Sequence, residues 1–414
     1  MLRDKLTRLL FLWYVAALIP AVVAILLARQ YVKNQSSFFT SEQKRHSIRN
    51  DFVRANGWFR VNGPSMAPTL FGSCSRWSCI ECGVVNLCFL FKHEGVSESE
   101  TACSGCGAVI AVQDIQAEYA GDRIYINSYS SKDAEALDHI KRGDLVVVSN
   151  ANDLHVKRLV GKPGDTVALA GVHLTINGVR IEDELFDHQI RFPHPWLLVS
   201  GDLSAAKVQQ SAESFVESYS LGGKHSHQMG WVSMEDSKYQ MLFSPGLVDS
   251  RRINSPVWDD FPFNVGISRR LFSADRLRLS GITLKATDIQ VYFWTEEGVR
   301  RVDRSLGASE FFQVSCFDGT QVEQDQDQSA VNREHPIAIV CSTQDVTMTN
   351  LIVERLLEYR IRPNDQRRYP LLLNEDEYFV LGDNVPVSVD SRDWGPLRRA
   401  DILGRVEDLQ RNLD

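Results

Sequence analysis

The sequence has no excess of positive charge. Its 45 lysine and arginine residues are outnumbered by 53 aspartate and glutamate residues, which gives a formal net charge of -8. A protein that binds nucleic acid presents a basic surface to the phosphates, so this composition argues against a nucleic-acid partner. The hydrophobic content of 43% is ordinary for a globular protein, and 414 residues are enough for two or three domains.

Cysteine is scarce over most of the chain, which has only eight, and six of them fall between Cys74 and Cys106. Cys79 and Cys82 form one Cys-x-x-Cys pair, and Cys103 and Cys106 form a second. Two such pairs are typical of zinc ribbons, in which four thiolates bind one structural zinc ion. A set of disulfides is the alternative, because an oxidising compartment favours them. The spacing therefore predicts a zinc-ribbon-like insert and leaves disulfides open.

One long stretch near the N-terminus lacks charge altogether. Residues 9–28 read LLFLWYVAALIPAVVAILLA. A helix of about 20 residues spans roughly 30 Å, the thickness of the hydrocarbon core of a bilayer. A cleaved signal peptide would have a shorter apolar core and end in small residues. We therefore expect a retained transmembrane anchor over residues 1–33, followed by a juxtamembrane linker over residues 34–56.

A serine lies in a stiff turn after this linker. Ser65 follows Gly63 and Pro64 and precedes Pro68 by three positions. Each proline fixes its own φ and removes a backbone donor, so the segment cannot continue as a regular helix or an inner strand. The turn thus presents the Ser65 hydroxyl. Without further context, a serine in a turn is most often solvated.

A lysine lies on a predicted strand further along the chain. The sequence GDLVVV at residues 143–148 predicts a turn and a buried strand, and LHVKRLVGKPGD at residues 154–165 predicts another strand and a turn. Side chains alternate along a strand, so Lys157 and Arg158 point to opposite faces and only one of them is expected in a site. Taken alone, a strand lysine is usually a solvated surface residue.

The last informative segment, YFVLGDNVPVSVDSRDWG at residues 378–395, predicts a strand followed by a Gly-Asp-Asn turn. It also contains Ser388, Asp390 and Arg392. Read without context, Asp390 and Arg392 form a surface ion pair of small energetic worth.

Taken in order, the serine turn, the two strand segments and the last segment resemble the sequence boxes of bacterial type I signal peptidases. The resemblance implies that Ser65 is the nucleophile and Lys157 the general base. It also implies that Ser388 hydrogen-bonds and orients the lysine, while Asp390 and Arg392 form an ion pair that holds the loop. A lysine is protonated near its free pKa of about 10.4, so this chemistry requires burial that lowers the pKa.

The resemblance implies a mostly β fold with an N-terminal transmembrane helix, a catalytic core and two insertions. The core is expected over residues 57–72, 121–183 and 370–414, with the zinc-ribbon-like insert over 73–120 and a β-rich insertion over 184–369. Alternating apolar residues in this second insertion predict antiparallel strands, and residues 349–357 carry its one helix signal. Its role is left open.

The implied function is a membrane-bound serine endopeptidase that removes N-terminal signal peptides from exported preproteins. A single span would hold it in the cell membrane, with the catalytic domain outside the cytoplasm. Its expected partners are preproteins, the lipid bilayer and the secretion machinery, and no nucleic acid. Catalysis needs no cofactor in this reading, and a structural zinc ion is expected at the four cysteines.

Two departures from the family pattern motivate an alternative function. The segment Val385-Pro386-Val387 stands where the family usually has Arg-Asp-Asn, and Gly63 stands where some members have a serine that helps bind the oxyanion. The alternative is a catalytically inactive membrane-anchored protein that binds a partner through the zinc ribbon and the β insertion. A self-cleaving repressor of the LexA type also uses Ser and Lys, but the chain lacks its DNA-binding helices.

Overall fold

The computed structural model describes most of the chain in separate ranges. These are residues 57–80, 85–88, 100–102, 109–111, 117–129, 139–150, 153–186, 196–200, 228–233, 239–244, 256–260, 264, 271–322, 331–341, 348–361 and 363–411. The expected membrane anchor and linker, residues 1–56, lie outside them, as do Cys82, Cys103 and Cys106. None of the helices within these ranges has both the length and the apolar character that a membrane span requires.

The prediction of a mostly β protein is confirmed. Within the described ranges the α-helices are the short α1 (Ile181–Phe186) and α2 (Ser391–Trp394). Three 3₁₀ turns accompany them, at Cys316–Asp318, Pro363–Arg368 and Arg399–Asp401. The remaining regular structure is strands in antiparallel sheets.

The largest sheet, the core sheet, has seven strands and carries the serine turn and the lysine strand. Its spatial order is β1 (Gly57–Arg60), β7 (Arg123–Ser128), β26 (Ile402–Gln410), β8 (Leu145–Asn150), β9 (Asp153–Gly161), β24 (Glu377–Leu381) and β25 (Leu397–Arg398). Segments distant in sequence thus become neighbours, because β9 pairs on one side with β8 and on the other with β24.

A smaller sheet of four strands packs beside the core sheet. Its order is β12 (Val179–Arg180), β11 (His173–Ile176), β10 (Thr166–Ala170) and β23 (Leu371–Leu372). Val167 and Leu174 from this sheet and Val160, Phe379 and Leu381 from the core sheet belong to one buried apolar cluster. The two sheets therefore share a hydrophobic core.

The middle of the chain folds into two further sheets, which we call the sandwich. One has the order β13 (Trp196–Ser200), β22 (Met348–Leu356), β16 (Leu277–Thr283) and β19 (Glu310–Ser315). The other has the order β14 (Gln228–Ser233), β15 (Tyr239–Ser244), β21 (Ile337–Cys341), β17 (Thr287–Thr295), β18 (Gly298–Leu306) and β20 (Thr320–Gln321). Leu277 and Val353 of the first sheet share a buried cluster with Val291 and Ile339 of the second.

The helix expected over residues 349–357 is wrong, because this segment forms most of the central strand β22. Leu351, Val353 and Arg355 alternate with more exposed neighbours, which is the period of a strand. β22 pairs with β13 on one side and β16 on the other, so its backbone groups are satisfied by the sheet. Tertiary pairing here overrides the local propensity.

Two small sheets lie in the Cys-rich region. The first has the order β3 (Val85–Cys88), β2 (Cys74–Ser78) and β6 (Ala117–Tyr119). The second pairs β4 (Glu100–Ala102) with β5 (Val109–Ala111). β6 leads back to Asp122, which hydrogen-bonds both ends of the serine turn, so the region starts and ends beside that turn.

Candidate active site

The serine turn is a closed loop that leads out of β1. The Val61 N–H donates to Asp122 O at 2.9 Å, and the Asp122 N–H donates to Phe71 O at 2.8 Å, so one residue ties both ends. Met66 and Leu70 are buried and fasten the loop to the apolar core, while Ser65 stays partly exposed. The sequence prediction of a stiff turn that presents this hydroxyl agrees with the geometry.

The Gly-Asp-Asn turn after β24 packs directly against the serine turn. The Asn384 N–H donates to Ser65 O at 3.0 Å, and Asn384 Nδ2 donates to Pro64 O at 3.1 Å. A Cβ at Gly382 would lie 2.5 Å from Ser65 O and 2.0 Å from Ser388 Oγ, so only glycine fits at this position. Ser65 and Ser388 therefore meet across Gly382.

Lys157 on β9 is 1% exposed, and its Nζ donates to Ser388 Oγ at 2.9 Å. Burial lowers the pKa of Lys157 from 10.5 to about 8, an effect that the Asp390 carboxylate opposes. The Trp394 ring centroid lies 6.0 Å from Nζ and forms one wall of the lysine site. A solvated surface lysine is thus excluded. Among the described residues, no hydrogen bond joins Lys157 to Ser65, and Ser388 Oγ lies between their elements.

Asp390 and Arg392 form a buried bidentate pair. Arg392 Nε donates to Asp390 Oδ1 and its Nη2 to Oδ2, both at 2.9 Å. Asp390 also accepts from the Gly382 N–H at 2.9 Å. Burial alone would raise the pKa of Asp390, but the Arg392 guanidinium lowers it, and the carboxylate stays charged. Because Asp390 is fully buried, this pair is not the weak surface contact that its sequence alone indicates.

The residues Val385-Pro386-Val387 are accommodated in this loop. Val385 is 4% exposed and belongs to the apolar cluster shared by the core sheet and the smaller sheet. Its carbonyl accepts from Arg392 Nη2 at 3.0 Å. The Val387 N–H donates to Asn384 O at 3.0 Å, which keeps the turn closed. The departure from the family pattern therefore leaves the loop packed and hydrogen-bonded.

Arg158 lies on the opposite face of β9 from Lys157, as the strand period predicts. Its Nη2 donates to Asp383 Oδ2 at 2.6 Å and its Nε to Asp383 Oδ1 at 2.9 Å, and both side chains are fully buried. Asp383 also accepts from Thr69 Oγ1, at the end of the serine turn, and from Tyr359 OH at 2.8 Å. Arg158 thus braces the two turns from behind without entering the lysine site.

Sequence reasoning missed Asn264, which reaches the site from the middle of the chain. Asn264 Nδ2 donates to Asn384 Oδ1 at 2.9 Å, and Asn384 Nδ2 donates to Asn264 Oδ1 at 2.8 Å. Both amides are fully buried, and each donates a hydrogen bond to the carbonyl oxygen of the other. Asn264 belongs to no motif and lies 120 positions from its partner, so no sequence signal could have identified it.

The backbone around Ser65 offers a hydrogen-bond donor for the oxyanion that an attack by this serine would form. The Ser65 N–H forms no hydrogen bond with the described residues and is available as a donor. A Cβ at Gly63 would meet nothing within 4 Å, so there is open space two residues before Ser65. The backbone therefore offers one donor, and residue 63 supplies no side-chain donor.

The expected zinc site falls mostly outside the described residues. Cys79 is 3% exposed at the end of β2. Its three expected partners lie outside the described ranges, so the zinc-ribbon prediction stays a prediction.

A comparison with known families matches two segments of the chain, which contain β9 and the turn that follows β24. The family model described as "Signal peptidase, peptidase S26" matches residues 108–220 and 314–408, about half of the chain. These segments contain Lys157, Ser388, Asp390 and Arg392. The serine turn precedes the first segment, so Ser65 rests on its motif and on the contacts described above.

Three curated relatives are similar to part of the chain. Signal peptidase I of Bacillus amyloliquefaciens is 34% identical over 91 residues, which are 21% of this chain and 45% of that protein. Signal peptidase I T of Bacillus subtilis (strain 168) is 33% identical over 91 residues, with the same shares. Signal peptidase I of Bacillus licheniformis is 29% identical over 148 residues, which are 35% of this chain and 69% of that protein. The chain thus spans less than half the length of the first two.

Proposed function

The chain belongs to the signal peptidase family, peptidase S26, and from this membership we propose that it is a membrane-bound serine endopeptidase. Its substrates in this proposal are exported preproteins, from which it removes the N-terminal signal peptide. Residues 1–33 anchor it in the cell membrane by a single span, and the catalytic domain lies outside the cytoplasm beside the bilayer and the secretion machinery.

The buried lysine carries the proposal. Lys157 is 1% exposed, has no buried carboxylate in direct hydrogen-bond contact among the described residues, and donates instead to the neutral hydroxyl of Ser388. Burial lowers its pKa to about 8, so about a tenth of it is neutral at pH 7 and able to accept a proton. A lysine kept only for structure would normally be paired with a carboxylate in such a place.

In the first half of the reaction, neutral Lys157 Nζ takes the proton of Ser65 Oγ as the oxygen attacks the carbonyl carbon of the scissile bond. The Ser65 N–H donates to the oxyanion that forms. The C–N bond then breaks, the leaving amine takes the proton from Lys157, and an acyl group remains on Ser65. Ser388 accepts from Nζ and holds it toward the serine turn.

In the second half, Lys157 Nζ takes a proton from water, which attacks the acyl carbonyl. The C–O bond to Ser65 breaks, and the lysine returns its proton to Ser65 Oγ. The acid product leaves and the enzyme is restored. Asp390 and Arg392 act only through position, because they hold the loop that carries Ser388.

The proposal is tested with the full chain in detergent and a purified preprotein. We expect release of the mature form by the wild type, and less than a few per cent of that rate with Ser65→Ala or Lys157→Ala. Lys157→Arg should be equally inactive, because a guanidinium cannot act as a base at neutral pH. The double variant should be no worse than either single one, since the two residues act as a unit.

The same assay decides the alternative of an inactive, membrane-anchored binding protein. In that case the wild-type chain would not cleave the preprotein. Immobilised on a column, it would still bind and retain the uncut preprotein. Substantial cleavage by Ser65→Ala would instead show that another residue is the nucleophile.

A further inference from the structure

A cluster of buried polar side chains lies where the chain returns from the sandwich to the core. His173 is on β11, Glu182 is on α1, and Glu358 follows the end of β22. Their exposed fractions are 2%, 0% and 2%. The Leu174 N–H donates to Tyr359 O at 2.9 Å, so the backbone joins β11 to the returning segment. We call these three side chains the junction cluster.

The junction cluster places one nitrogen and two oxygens around a common point. His173 Nδ1 lies 3.2 Å from Glu182 Oε1 and 3.7 Å from Glu358 Oε1. The three potential ligand atoms all lie within 4.8 Å of one another. Ligands bound at 2.0–2.2 Å to a tetrahedral ion are about 3.3–3.6 Å apart. Small adjustments of the two carboxylates would therefore bring all three atoms to one ion.

Each carboxylate of the cluster is held through its other oxygen. Glu182 Oε2 accepts from the Tyr359 N–H at 3.4 Å, and Glu358 Oε2 accepts from Arg360 Nη2 at 3.0 Å. On the far side of the imidazole, His173 Nε2 forms no hydrogen bond with the described residues, and Glu296 Oε2 lies 3.8 Å from it. Outer groups that fix the orientation of ligating carboxylates are a regular feature of metal sites.

One ligand atom has no hydrogen bond. Glu358 Oε1 is buried without a hydrogen-bond partner among the described residues, although Arg276 Nε lies 3.8 Å away. A buried carboxylate oxygen that has lost water and gained no donor is unfavourable. This oxygen faces His173 Nδ1, so the missing partner belongs at the centre of the cluster.

The charges around the cluster favour a cation. Four buried carboxylates, those of Glu182, Asp259, Asp275 and Glu358, outnumber three buried guanidinium groups, those of Arg276, Arg355 and Arg360. Asp183 and Glu296 add two half-exposed carboxylates at the rim. Among the described residues the surroundings are therefore negative when His173 is neutral, which suits a divalent ion.

We propose that His173, Glu182 and Glu358 bind one divalent transition-metal ion through Nδ1 and the two Oε1 atoms. A donor set of one imidazole and two carboxylates suits zinc and manganese. Because its ligands come from the core and from the segment that returns from the sandwich, the ion fastens these two parts together. It takes no part in the chemistry of Ser65 and Lys157.

The test uses the full chain, stripped of metal and titrated with Mn²⁺. Manganese is chosen because the thiolates of the expected zinc ribbon prefer softer ions. Electron paramagnetic resonance measures the free ion and detects nitrogen coupling from a bound imidazole. We expect one bound ion per chain with such coupling, and a melting temperature that rises with Mn²⁺ concentration. His173→Gln and Glu358→Gln should each weaken binding at least about tenfold.

Glu354→Gln is the matched control, because Glu354 is a half-buried carboxylate on β22 that pairs with Arg278 outside the cluster. It should bind Mn²⁺ as the wild type does. If Glu358→Gln fails to fold, Glu358→Asp keeps the charge but withdraws the carboxylate, and must weaken binding. The proposal is overturned if the folded wild type binds no Mn²⁺ below about 1 mM. Binding without nitrogen coupling, or unchanged binding by a folded cluster variant, overturns it as well.

Discussion

At the scale of single residues, the site depends on the different surroundings of two adjacent basic side chains on β9. Lys157 and Arg158 are adjacent and both are buried, yet their surroundings differ. Arg158 meets the carboxylate of Asp383 and stays charged, whereas Lys157 meets the hydroxyl of Ser388. Desolvation without a directly bound counter-charge lowers the pKa of a lysine, and this difference in partners separates the proposed base from a structural cation.

The rate of cleavage should rise with pH through the pKa of Lys157. Burial lowers this pKa to about 8, and only the neutral amine can take the Ser65 proton. Below that pH the logarithm of kcat/KM should climb by about one per pH unit, and above it the rate should level off. The measurement is kcat/KM for a preprotein against pH. A profile that stays flat from about pH 5 to 10 would rule out a lysine base.

Gly63 gives a second prediction at this scale. A Cβ at residue 63 meets nothing within 4 Å, so Gly63→Ser adds a hydroxyl beside the oxyanion without a clash. A well-placed oxyanion donor is worth about 10²–10³ in kcat, and an unoptimised one should still raise kcat on the order of tenfold. Gly63→Ala adds the same Cβ without the hydroxyl and is the control. Equal kcat values for the two variants would show that the hydroxyl does not reach the oxyanion.

At the scale of elements, the pairing of β9 with β24 builds the site. Leu381 pairs with Arg158, so the turn that follows β24 begins beside Lys157 and carries Ser388 to it. The sequence predicted both strands and the opposite orientation of the two cations, because short buried strands keep a strict period. It mispredicted residues 349–357, because pairing with two neighbouring strands decides the structure of that segment.

Asn264 was beyond prediction for a related reason. Its link to the site is the contact with Asn384, and that contact exists only after distant segments have packed. Motif residues such as Ser388 could be identified because their spacing to neighbours is local. The sequence thus defines the turns of the site, and the packing of the chain supplies what holds them.

Loss of Asn264 should therefore impair the serine turn more than the fold. Asn264→Ala leaves the buried Asn384 Oδ1 without its donor, which costs about 1–3 kcal/mol. Because Asn384 also binds Pro64 O and Ser65 O, kcat should fall at least about tenfold while KM changes little. Steady-state kinetics and hydrogen exchange of the serine turn measure the two effects.

Thr283→Ala is the matched control for Asn264→Ala. Thr283 is buried on β16, and its hydroxyl donates to Gly307 O at 2.9 Å, within the sandwich. It should lose comparable stability but keep kcat and the exchange rates of the serine turn. Were both variants to slow catalysis equally, Asn264 would contribute general stability and not position.

At the scale of the whole molecule, both long insertions lie close to the catalytic parts. The segment that returns from the sandwich carries Glu358 of the junction cluster, and Asn264 lies between the sandwich strands β15 and β16 in sequence. The Cys-rich region leaves the core after the serine turn and returns at Asp122, which hydrogen-bonds that turn. A change in either insertion is therefore expected to reach Ser65, the proposed nucleophile, through the backbone.

Removal of zinc from the Cys-rich region should show this connection. We expect Cys79, Cys82, Cys103 and Cys106 to hold one zinc ion in a closed four-thiolate site, which has no open position for an activated water. The ion then contributes on the order of 10 kcal/mol to the folding of that region and nothing to proton transfer. Chelation should first speed hydrogen exchange over residues 73–120 and then lower kcat, with the pH profile of the remaining activity unchanged.

Metal analysis and thiol titration of protein purified without reductant check the premise that the four cysteines hold zinc. Less than about half an equivalent of thiolate-bound zinc, with no free thiols among the clustered cysteines, would replace the zinc ribbon with disulfides. A Cys79→Ser variant separates this zinc from any ion at the junction cluster, because only the former should be lost.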